Sequence, residues 1–399
     1  MRASKLLHRM VEDVLPWMHK TRRAALSSVI EAAIGGRRLT VTGLGRAMPG
    51  PAKEKHCIKR CDRLLSNRLL QKDSRLIYRA MARQVLGAAT HPVIVVDWST
   101  LDEGKGLFLL RACTPVKGRT LTLLDEVHDL AGKDKPEVHR AFLKTLRTFL
   151  PGGCRPIIIT DARFRVPWFR EVERFGWHWI GRVRHRTLIK FSNTSSDWLR
   201  GKALHQRATQ KAQTLGRAFL ARSNPIACGL VLYKARPKGR VRKGARGARL
   251  RARASVRIAA REREAWLLAS SLPDGPGFAN KVVQLYAARM QVEEAFRDLK
   301  SGRFGLTLEY SGTRRKDRLE ILVLIGALAL WFAWLLGKAT ELSQQHRHWQ
   351  ANSVRTKTIL SSVFLGLHVF NDARLRIDQS LILHAQKVLR CQVKLYAAV

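Results

Sequence analysis

The chain has 399 residues and a formal net charge of +44, from 74 lysines and arginines against 30 acidic residues. Its hydrophobic content of 46% is enough to build packed cores, which excludes wholesale disorder. The charge argues against an ordinary metabolic enzyme with a small-molecule substrate, because such an excess attracts polyanions and releases counterions when phosphates are bound. Nucleic acid is therefore the first expected partner, and an anionic membrane surface is the second.

Residues 1–88 are predicted to form a helical DNA-binding domain. Apolar residues recur at helical spacing from Ala24 to Ile34, where Gly35 and Gly36 end the run. Small basic helices joined by glycine-containing turns suit a domain of helix-turn-helix type, although any basic helical bundle shows the same pattern.

The cysteines and the N-terminus indicate the compartment. The six cysteines lack paired spacing and are predicted to be reduced thiols. His56, Cys57 and Cys61 cluster, but no second Cys/His pair follows at the spacing of a zinc module. The N-terminus also lacks the apolar stretch of a secretory signal, so we expect a cytoplasmic protein.

From residue 92 the pattern changes to short β-branched strands, two of which are predicted to end at an aspartate. Residues 93–96 precede Asp97, and residues 157–160 precede Asp161. The pattern also predicts strands over 107–111, 120–124 and 177–183 and helices over 136–150 and 167–175. These elements predict a mixed α/β layer fold with carboxylates at strand ends. The other acidic pairs nearby, Asp102 with Glu103 and Asp125 with Glu126, are expected to be solvated.

Residues 184–280 are predicted to form a β-rich insertion that contains a basic loop. Two predicted strands, 228–233 and 265–269, flank residues 234–263, which hold 13 lysines and arginines and one acid. We interpret this run as a loop that is mobile or ordered by nucleic acid. A merely solvated loop would explain solubility but not the single sign of the charge.

Helical periodicity returns after residue 280. Helices are predicted over 281–300, 353–370 and 380–396. The 17 residues 321–337 carry no charge, and they could form either a membrane span or a buried core helix. We favour the core helix, because the run is at the lower limit of spanning length and is the single such run in a chain of soluble character.

The predicted helix 281–300 carries the most informative pattern. At 100° per residue, Tyr286, Arg289, Glu293 and Lys300 share one narrow face, whereas Glu294 projects away from it. A solvated ladder of ion pairs is the commoner explanation of such a face. Together with two strand-end aspartates, however, the glutamate would supply hard oxygen ligands for two Mg²⁺ ions. Such a pair of ions supports in-line displacement at a phosphodiester.

Three motifs carry a resemblance to a known family. They are Val96-Asp97-Trp98-Ser99, the segment Thr160-Asp161-Ala162-Arg163-Phe164-Arg165-Val166-Pro167-Trp168, and Tyr286-x2-Arg289-x3-Glu293-x6-Lys300. They resemble the bacterial DDE transposases of the IS-four insertion-sequence family, and most closely its Tn-ten-like members. The resemblance spans nearly the whole chain.

The resemblance implies an α/β fold with an RNase H-like (retroviral-integrase-type) catalytic core, interrupted by a β-rich insertion and flanked by helical N-terminal and C-terminal regions. The core would comprise residues 89–183 and 281–345, with the insertion over 184–280 and a helical dimerisation region over 346–399. Asp97, Asp161 and Glu293 would bind two Mg²⁺ ions, with Mn²⁺ as a substitute.

The resemblance also implies how DNA would be held and processed. Tyr286, Arg289 and Lys300 would bind phosphates at the transposon end, and Trp266 would stack a flipped base, unless it packs in the core of the insertion. A homodimer would bind double-stranded DNA, at terminal inverted repeats and at the target, and proceed by nicking, hairpin formation, hairpin opening and strand transfer. The alternative is a catalytically inactive, transposase-derived DNA-binding protein. Such a protein should have a broken triad, whereas all three acids are present here.

Overall fold

The computed structural model describes residues 2–102, 104, 106–192, 197–236, 264–351, 353–354 and 357–398. Most of the predicted basic loop, residues 237–263, lies outside these ranges. The helices are α1 Ala3–Val14, α2 Lys20–Gly36, α3 Val41–Ala47, α4 Glu54–Leu65, α5 Arg68–Leu86, α6 Pro136–Phe149, α7 Val166–Arg174, α8 Phe278–Ala288, α9 Gln291–Lys300, α10 Lys316–Leu342, α11 Ser362–Val369 and α12 Gln379–Ala398. The strands are β1 Val93–Asp102, β2 Leu107–Val116, β3 Arg119–His128, β4 Ile157–Thr160, β5 His178–Arg182, β6 Leu188–Phe191, β7 Leu199–Arg200, β8 Gln213–Leu220, β9 Ile226–Tyr233 and β10 Trp266–Ser270. The mixed α/β class is confirmed.

The contacts divide the chain into two compact units. The first comprises residues 1–156 and 290–398, and the second comprises residues 157–289. The five domains expected from the sequence are a different division of the chain, and their boundaries stay a prediction.

The first unit contains the five N-terminal helices, a three-stranded meander and the C-terminal helices. Strands β1, β2 and β3 pair antiparallel in the order β3-β2-β1, and Asp97 lies opposite Arg111, which lies opposite Asp125. The helix ends follow local capping rules: Thr40 accepts a hydrogen bond from the Gly43 N–H at the start of α3. The predicted helical character of residues 1–88 is confirmed.

Helix α10 forms much of the core of the first unit. It is long and apolar enough to cross a membrane, but 94% of its most apolar window is buried within the protein. A Cβ added at Gly337 would lie 1.8 Å from the Ser362 carbonyl oxygen, and one at Gly366 would lie 1.8 Å from that of Ala333. Helices α10 and α11 therefore pack backbone to backbone at two glycines. This burial agrees with the interpretation of residues 321–337 as a core helix.

The second unit is rich in strands, in the order β4-β5-β10-β9-β8-β6-β7. The β4–β5 pair is parallel, and the remaining pairs are antiparallel. Strands β8, β9 and β10 form the main part of the predicted β-rich insertion, and β6 and β7 extend it. Helix α8 packs against this sheet through the buried residues Val282, Leu285 and Tyr286.

Four expectations were wrong in detail. Strand β1 continues five residues beyond Asp97 because its pairing with β2 extends to Leu107, so this aspartate lies within the strand and not at its end. The predicted helix 281–300 is two helices, because the Arg289 N–H bonds to the Tyr286 carbonyl three residues back and ends the regular ladder. The helix expected over 353–370 begins only at Ser362, where Ser361 caps it.

The fourth correction concerns Asp125, which was expected to be solvated. It is buried, with 1% of its side chain exposed, because the buried Arg111 on the neighbouring strand binds both of its carboxylate oxygens at 2.7 Å. Sequence reasoning placed it in a turn, but β3 continues four residues past the predicted end at 124 and takes Asp125 into the sheet.

Candidate functional site

Asp97 lies in the middle of β1 and is 3% exposed. Its Oδ1 accepts a hydrogen bond of 2.9 Å from the backbone N–H of Trp98, so the carboxylate is held against its own strand. Burying a carboxylate costs free energy unless the group is hydrogen-bonded or paired. The burial of Asp97 therefore distinguishes it from an ordinary surface acid.

Trp98 is itself held in place on the opposite face of the strand. Its indole N–H donates a hydrogen bond of 3.1 Å to Nε2 of His139, which is buried on α6, and its ring also contacts His128 edge-on. Burial lowers the pKa of His139 to about 4, with a smaller contribution from His128. His139 is therefore neutral near pH 7 and can act as the acceptor that fixes Trp98.

Lys300, at the end of α9, contacts the same strand. Its ammonium donates hydrogen bonds to Ser99 Oγ at 2.8 Å and to the Thr100 carbonyl at 3.2 Å. Burial lowers the pKa of Lys300, and the negative charge of Glu293 opposes that shift. Lys300 thus contacts β1 two residues after Asp97, and its ammonium is close enough to Glu293 to interact with that charge.

Glu293 is exposed in the first turn of α9. A carboxylate in the first turn of a helix is favoured by the helix dipole, which accounts for an acid at this position without any ligand. Its neighbour Glu294 forms ion pairs with Arg119 and Arg297 on another side of the helix. The two glutamates thus differ in their surroundings, whereas the face predicted for Tyr286, Arg289, Glu293 and Lys300 is divided between two helices.

Asp161 follows β4 directly, as the sequence predicts, and belongs to the second unit. Its Oδ1 accepts a hydrogen bond of 2.8 Å from the backbone N–H of Arg163, so it caps the turn that follows the strand. Its Oδ2 lies 3.9 Å from Nε of Arg163 and 4.0 Å from Nη2 of Arg289. The structure therefore brings together Asp161 and Arg289, two of the predicted site residues.

Trp266 opens β10 and is half-buried. Its ring packs edge-to-face against Tyr286 at 5.1 Å and against Tyr233 at 5.7 Å. The structure thus joins the predicted base-stacking tryptophan to the predicted phosphate-binding tyrosine. Edge-on packing by two tyrosines fixes the orientation of the indole ring.

The predicted residues fall into two local groups. Asp97, Glu293 and Lys300 belong to the first unit, whereas Asp161, Trp266, Tyr286 and Arg289 belong to the second. Among the residues that the structure describes, no group of three or more His, Cys, Asp or Glu side chains could hold a metal ion. The joint metal-binding role of the three acids therefore stays a prediction.

Comparison with known families places these residues in a domain. The family model described as the transposase DDE domain matches residues 88–332, which is more than half of the chain. The chain belongs to the DDE transposase family. No curated protein matches this transposase in a sequence search. Membership implies that the protein binds DNA, and the family generally uses divalent metal ions.

Each of the three predicted acids, taken by itself, has donor atoms of the type that a divalent ion binds. Asp97, Asp161 and Glu293 offer carboxylate oxygens, which Mg²⁺ prefers over nitrogen or sulfur. One oxygen of Asp97 and one of Asp161 is held by a neighbouring backbone N–H, which orients the carboxylate before any ion binds.

Sequence reasoning missed two buried polar residues that lie beside the strand of the predicted site residue Asp97. His139 lies on the apolar stripe of α6, one turn before Leu143, and a polar residue in such a stripe is a signal that could have found it. Arg111 lies in an otherwise apolar, buried strand. A lone arginine in such a strand requires a buried partner, but the sequence does not say which acid provides it.

Proposed function

We propose that this protein is a Mg²⁺-dependent DNA transposase that binds terminal inverted repeats and performs cut-and-paste transposition. The match to the transposase DDE domain carries the proposal, because its range of 88–332 includes all seven predicted site residues. The environments of Asp97 and Asp161 support it, since both carboxylates are oriented by backbone N–H groups.

The motif Tyr286-x2-Arg289-x3-Glu293-x6-Lys300 supports a place in the IS-four branch, among its Tn-ten-like members. For the catalytic core we propose an RNase H-like fold. The antiparallel meander β1–β3 and the parallel pair β4–β5 are compatible with it. The strand-rich residues between β5 and α8 would be its insertion.

Asp97, Asp161 and Glu293 would hold two Mg²⁺ ions, or Mn²⁺ in their place. Such ions polarise a phosphodiester and lower the pKa of a bound attacking hydroxyl. Lys300 would hold a phosphate of the transposon end beside β1. Its partial burial strengthens the attraction, because the local dielectric constant is lower than in water.

Arg289 and Tyr286 would bind further phosphates, and Trp266 would stack a base that is flipped out of the duplex. Stacking of one base on an aromatic ring contributes about 1–3 kcal/mol, which would offset much of the cost of unstacking it. The edge-on contacts of Trp266 with Tyr286 and Tyr233 would keep one orientation of the indole ring ready for that base.

Four in-line displacements would follow: nicking, hairpin formation, hairpin opening and strand transfer. In each, water or a 3′-hydroxyl attacks phosphorus, loses its proton and displaces the opposite oxygen. A homodimer would hold both transposon ends and the target DNA. We expect the protein in the bacterial cytoplasm, on the nucleoid when bound to DNA, and not in a membrane.

The test uses the DNA that flanks the reading frame. Short inverted repeats in that DNA give the sequence of the test substrate. Duplexes of this sequence are end-labelled and incubated with the full-length protein and Mg²⁺, Mn²⁺ or EDTA. We expect nicking with either metal and none with EDTA. Asp97→Ala, Asp161→Ala and Glu293→Ala should each abolish nicking and leave binding of the duplex intact.

Glu294→Ala is the matched control, because it removes a carboxylate from the same helix turn on another face. It should cleave like the wild-type protein. Binding of the ends without metal-dependent nicking by the wild-type protein would favour the inactive DNA-binding derivative. Normal nicking by any of the three alanine variants would remove that residue from the proposed site.

A further inference from the structure

The second unit contains a cavity of about 1230 Å³ that begins one residue after Asp161. Three segments surround it: the turn from Ala162 to Pro167, the end of β5 with the turn over 182–188, and the β8–β9 turn over 220–224. This volume exceeds the roughly 300–1,000 Å³ of common small-molecule pockets. It therefore has room for a ligand with several chemical groups.

The rim of the cavity is strongly basic. Five arginines and one carboxylate line it, namely Arg165, Arg182, Arg184, Arg186, Arg222 and Glu264. Glu264 accepts from Arg182 at 2.5 Å and lies 2.6 Å from Nε2 of His185, so the single acid is already paired. Arg184 donates to the Ala162 carbonyl.

Three of these arginines can offer their positive charge to a ligand. Arg165, Arg186 and Arg222 are exposed, and no carboxylate in the described ranges lies within ion-pair distance of them. They belong to three different segments of the cavity lining. Guanidinium groups bind phosphate oxygens through paired hydrogen bonds, which favours a ligand with more than one phosphate.

The floor of the cavity is apolar. Phe164, Phe169, Val183 and Leu220 line it, and all four are buried. A double helix offers phosphates to a protein but keeps the faces of its bases stacked inside. An unpaired strand offers phosphates and base faces together, which matches a basic rim above an apolar floor.

We propose that this cavity binds a single unpaired strand of DNA, with phosphates on Arg165, Arg186 and Arg222 and bases over the apolar floor. The proposal rests on the DNA-binding part of the proposed function and is independent of metal binding and cleavage. A transposase that nicks one strand at a time exposes such a strand, and the cavity adjoins the turn capped by Asp161.

The test measures binding of a short fluorescent oligonucleotide of mixed sequence, single-stranded or annealed, by anisotropy in EDTA. The full-length protein is compared with the double variant Arg165→Ala/Arg222→Ala, whose exposed side chains can be removed without disturbing a core. We expect the variant to bind the single strand roughly tenfold more weakly. Because each phosphate contact to a single strand contributes about 0.7 to the salt slope, the slope should fall by roughly 1.4.

Arg207→Ala is the control, since Arg207 is exposed in the same unit but does not line the cavity. It should leave single-strand binding within about twofold of the wild-type value. Equal losses of the double variant on single strand and duplex would overturn the proposal, as would unchanged single-strand binding. Neither outcome bears on metal-dependent nicking, so a failure here is distinct from a failure of the proposed function.

A second arm addresses the apolar floor. An oligonucleotide of the same length that lacks several central bases retains its phosphates but cannot cover the floor. We expect the wild-type protein to bind it at least several-fold more weakly than the intact strand. Equal affinity for the two strands would show that bases do not contribute, and it would refute this part of the proposal.

Discussion

The buried Arg111–Asp125 ion pair joins β2 and β3, the two strands that follow that of Asp97 in the sheet, and it can be broken by removing one partner. Arg111→Met removes the guanidinium and leaves the carboxylate of Asp125 buried, with 1% of its side chain exposed. Removing one partner of a buried pair costs about 3–5 kcal/mol, because the other charge remains in a poorly solvating environment. The expected loss is therefore several times that of an ordinary surface substitution.

Thermal unfolding converts this energy into a shift of the melting temperature. The first unit comprises about 265 residues, from 1–156 and 290–398. With an unfolding entropy of about 2.1 cal/mol/K per residue, a loss of 3–5 kcal/mol lowers Tm by about 5–9 °C. Scanning calorimetry of the full-length protein measures the shift.

The pH dependence gives a second, independent check. Burial raises the pKa of the Asp125 carboxyl, and the Arg111 guanidinium opposes that rise. Without Arg111 the folded protein should bind the Asp125 proton more tightly than the unfolded chain does. The stability deficit of Arg111→Met should therefore shrink as the pH falls from about 8 to about 5.5.

The double variant Arg111→Met/Asp125→Leu is the matched control. It removes both charges, so its Tm should lie well above that of Arg111→Met and should lose the added pH dependence. If the single and double variants melted at the same temperature, loss of packing around Arg111 would explain the data, and the ion-pair reasoning would be refuted.

Three further predictions concern other residues of the chain. His139→Phe removes the acceptor of the Trp98 indole N–H and should slow nicking about tenfold or more without changing DNA binding. His139→Gln keeps an acceptor and should recover part of the rate. Equal nicking rates of His139→Phe and the wild-type protein would exclude a positioning role. A thiol reagent should modify about one cysteine per native chain, Cys391, because the other five are buried; rapid modification of several would contradict this burial. Gly337→Ala should destabilise the protein by about 1–3 kcal/mol or more, because its Cβ would meet a backbone carbonyl. The control Gly152→Ala should not, because a Cβ there meets nothing within 4 Å. Equal melting temperatures of the two variants would disprove the close helix packing.

Buried thiols give the cysteine prediction a chemical basis. Burial raises the pKa of Cys61 and Cys154 to about 11 and that of Cys113 and Cys228 to about 12. The thiolate is the reactive form, so these four side chains should be inert as long as they stay buried. All six cysteines are free thiols in the structure, and their redox state in the cell stays a prediction.

Most elements of the fold could be predicted from the sequence, because periodicity and capping are local. The apolar stripe of α6 and the run before Asp161 both correspond to elements within a few residues of their predicted ends. The break between α8 and α9 could not be predicted. Neither Arg289 nor Met290 is a helix breaker, and both keep helical dihedral angles where the hydrogen-bond ladder ends.

The sequence predicted which residues belong to the candidate site, but it did not predict how they are arranged in space. Spacing and residue type selected Asp97, Asp161, Glu293 and Lys300, since chemistry at phosphates requires acids for metal ions and cations for oxygens. The contact of Lys300 with Ser99 joins residues about two hundred positions apart. Such a contact depends on packing, which the local pattern does not encode.

The sequence by itself determined the class of protein: a basic chain with a transposase motif, a buried apolar helix and strands that carry acids. Only the tertiary structure decided that Asp125 is the partner of Arg111, that His139 holds Trp98, and that arginines from three segments surround one cavity. The reason is physical. Charge, hydropathy and helical or strand periodicity are properties of neighbouring residues, whereas strand register and burial arise from contacts between distant segments and decide which charges must pair.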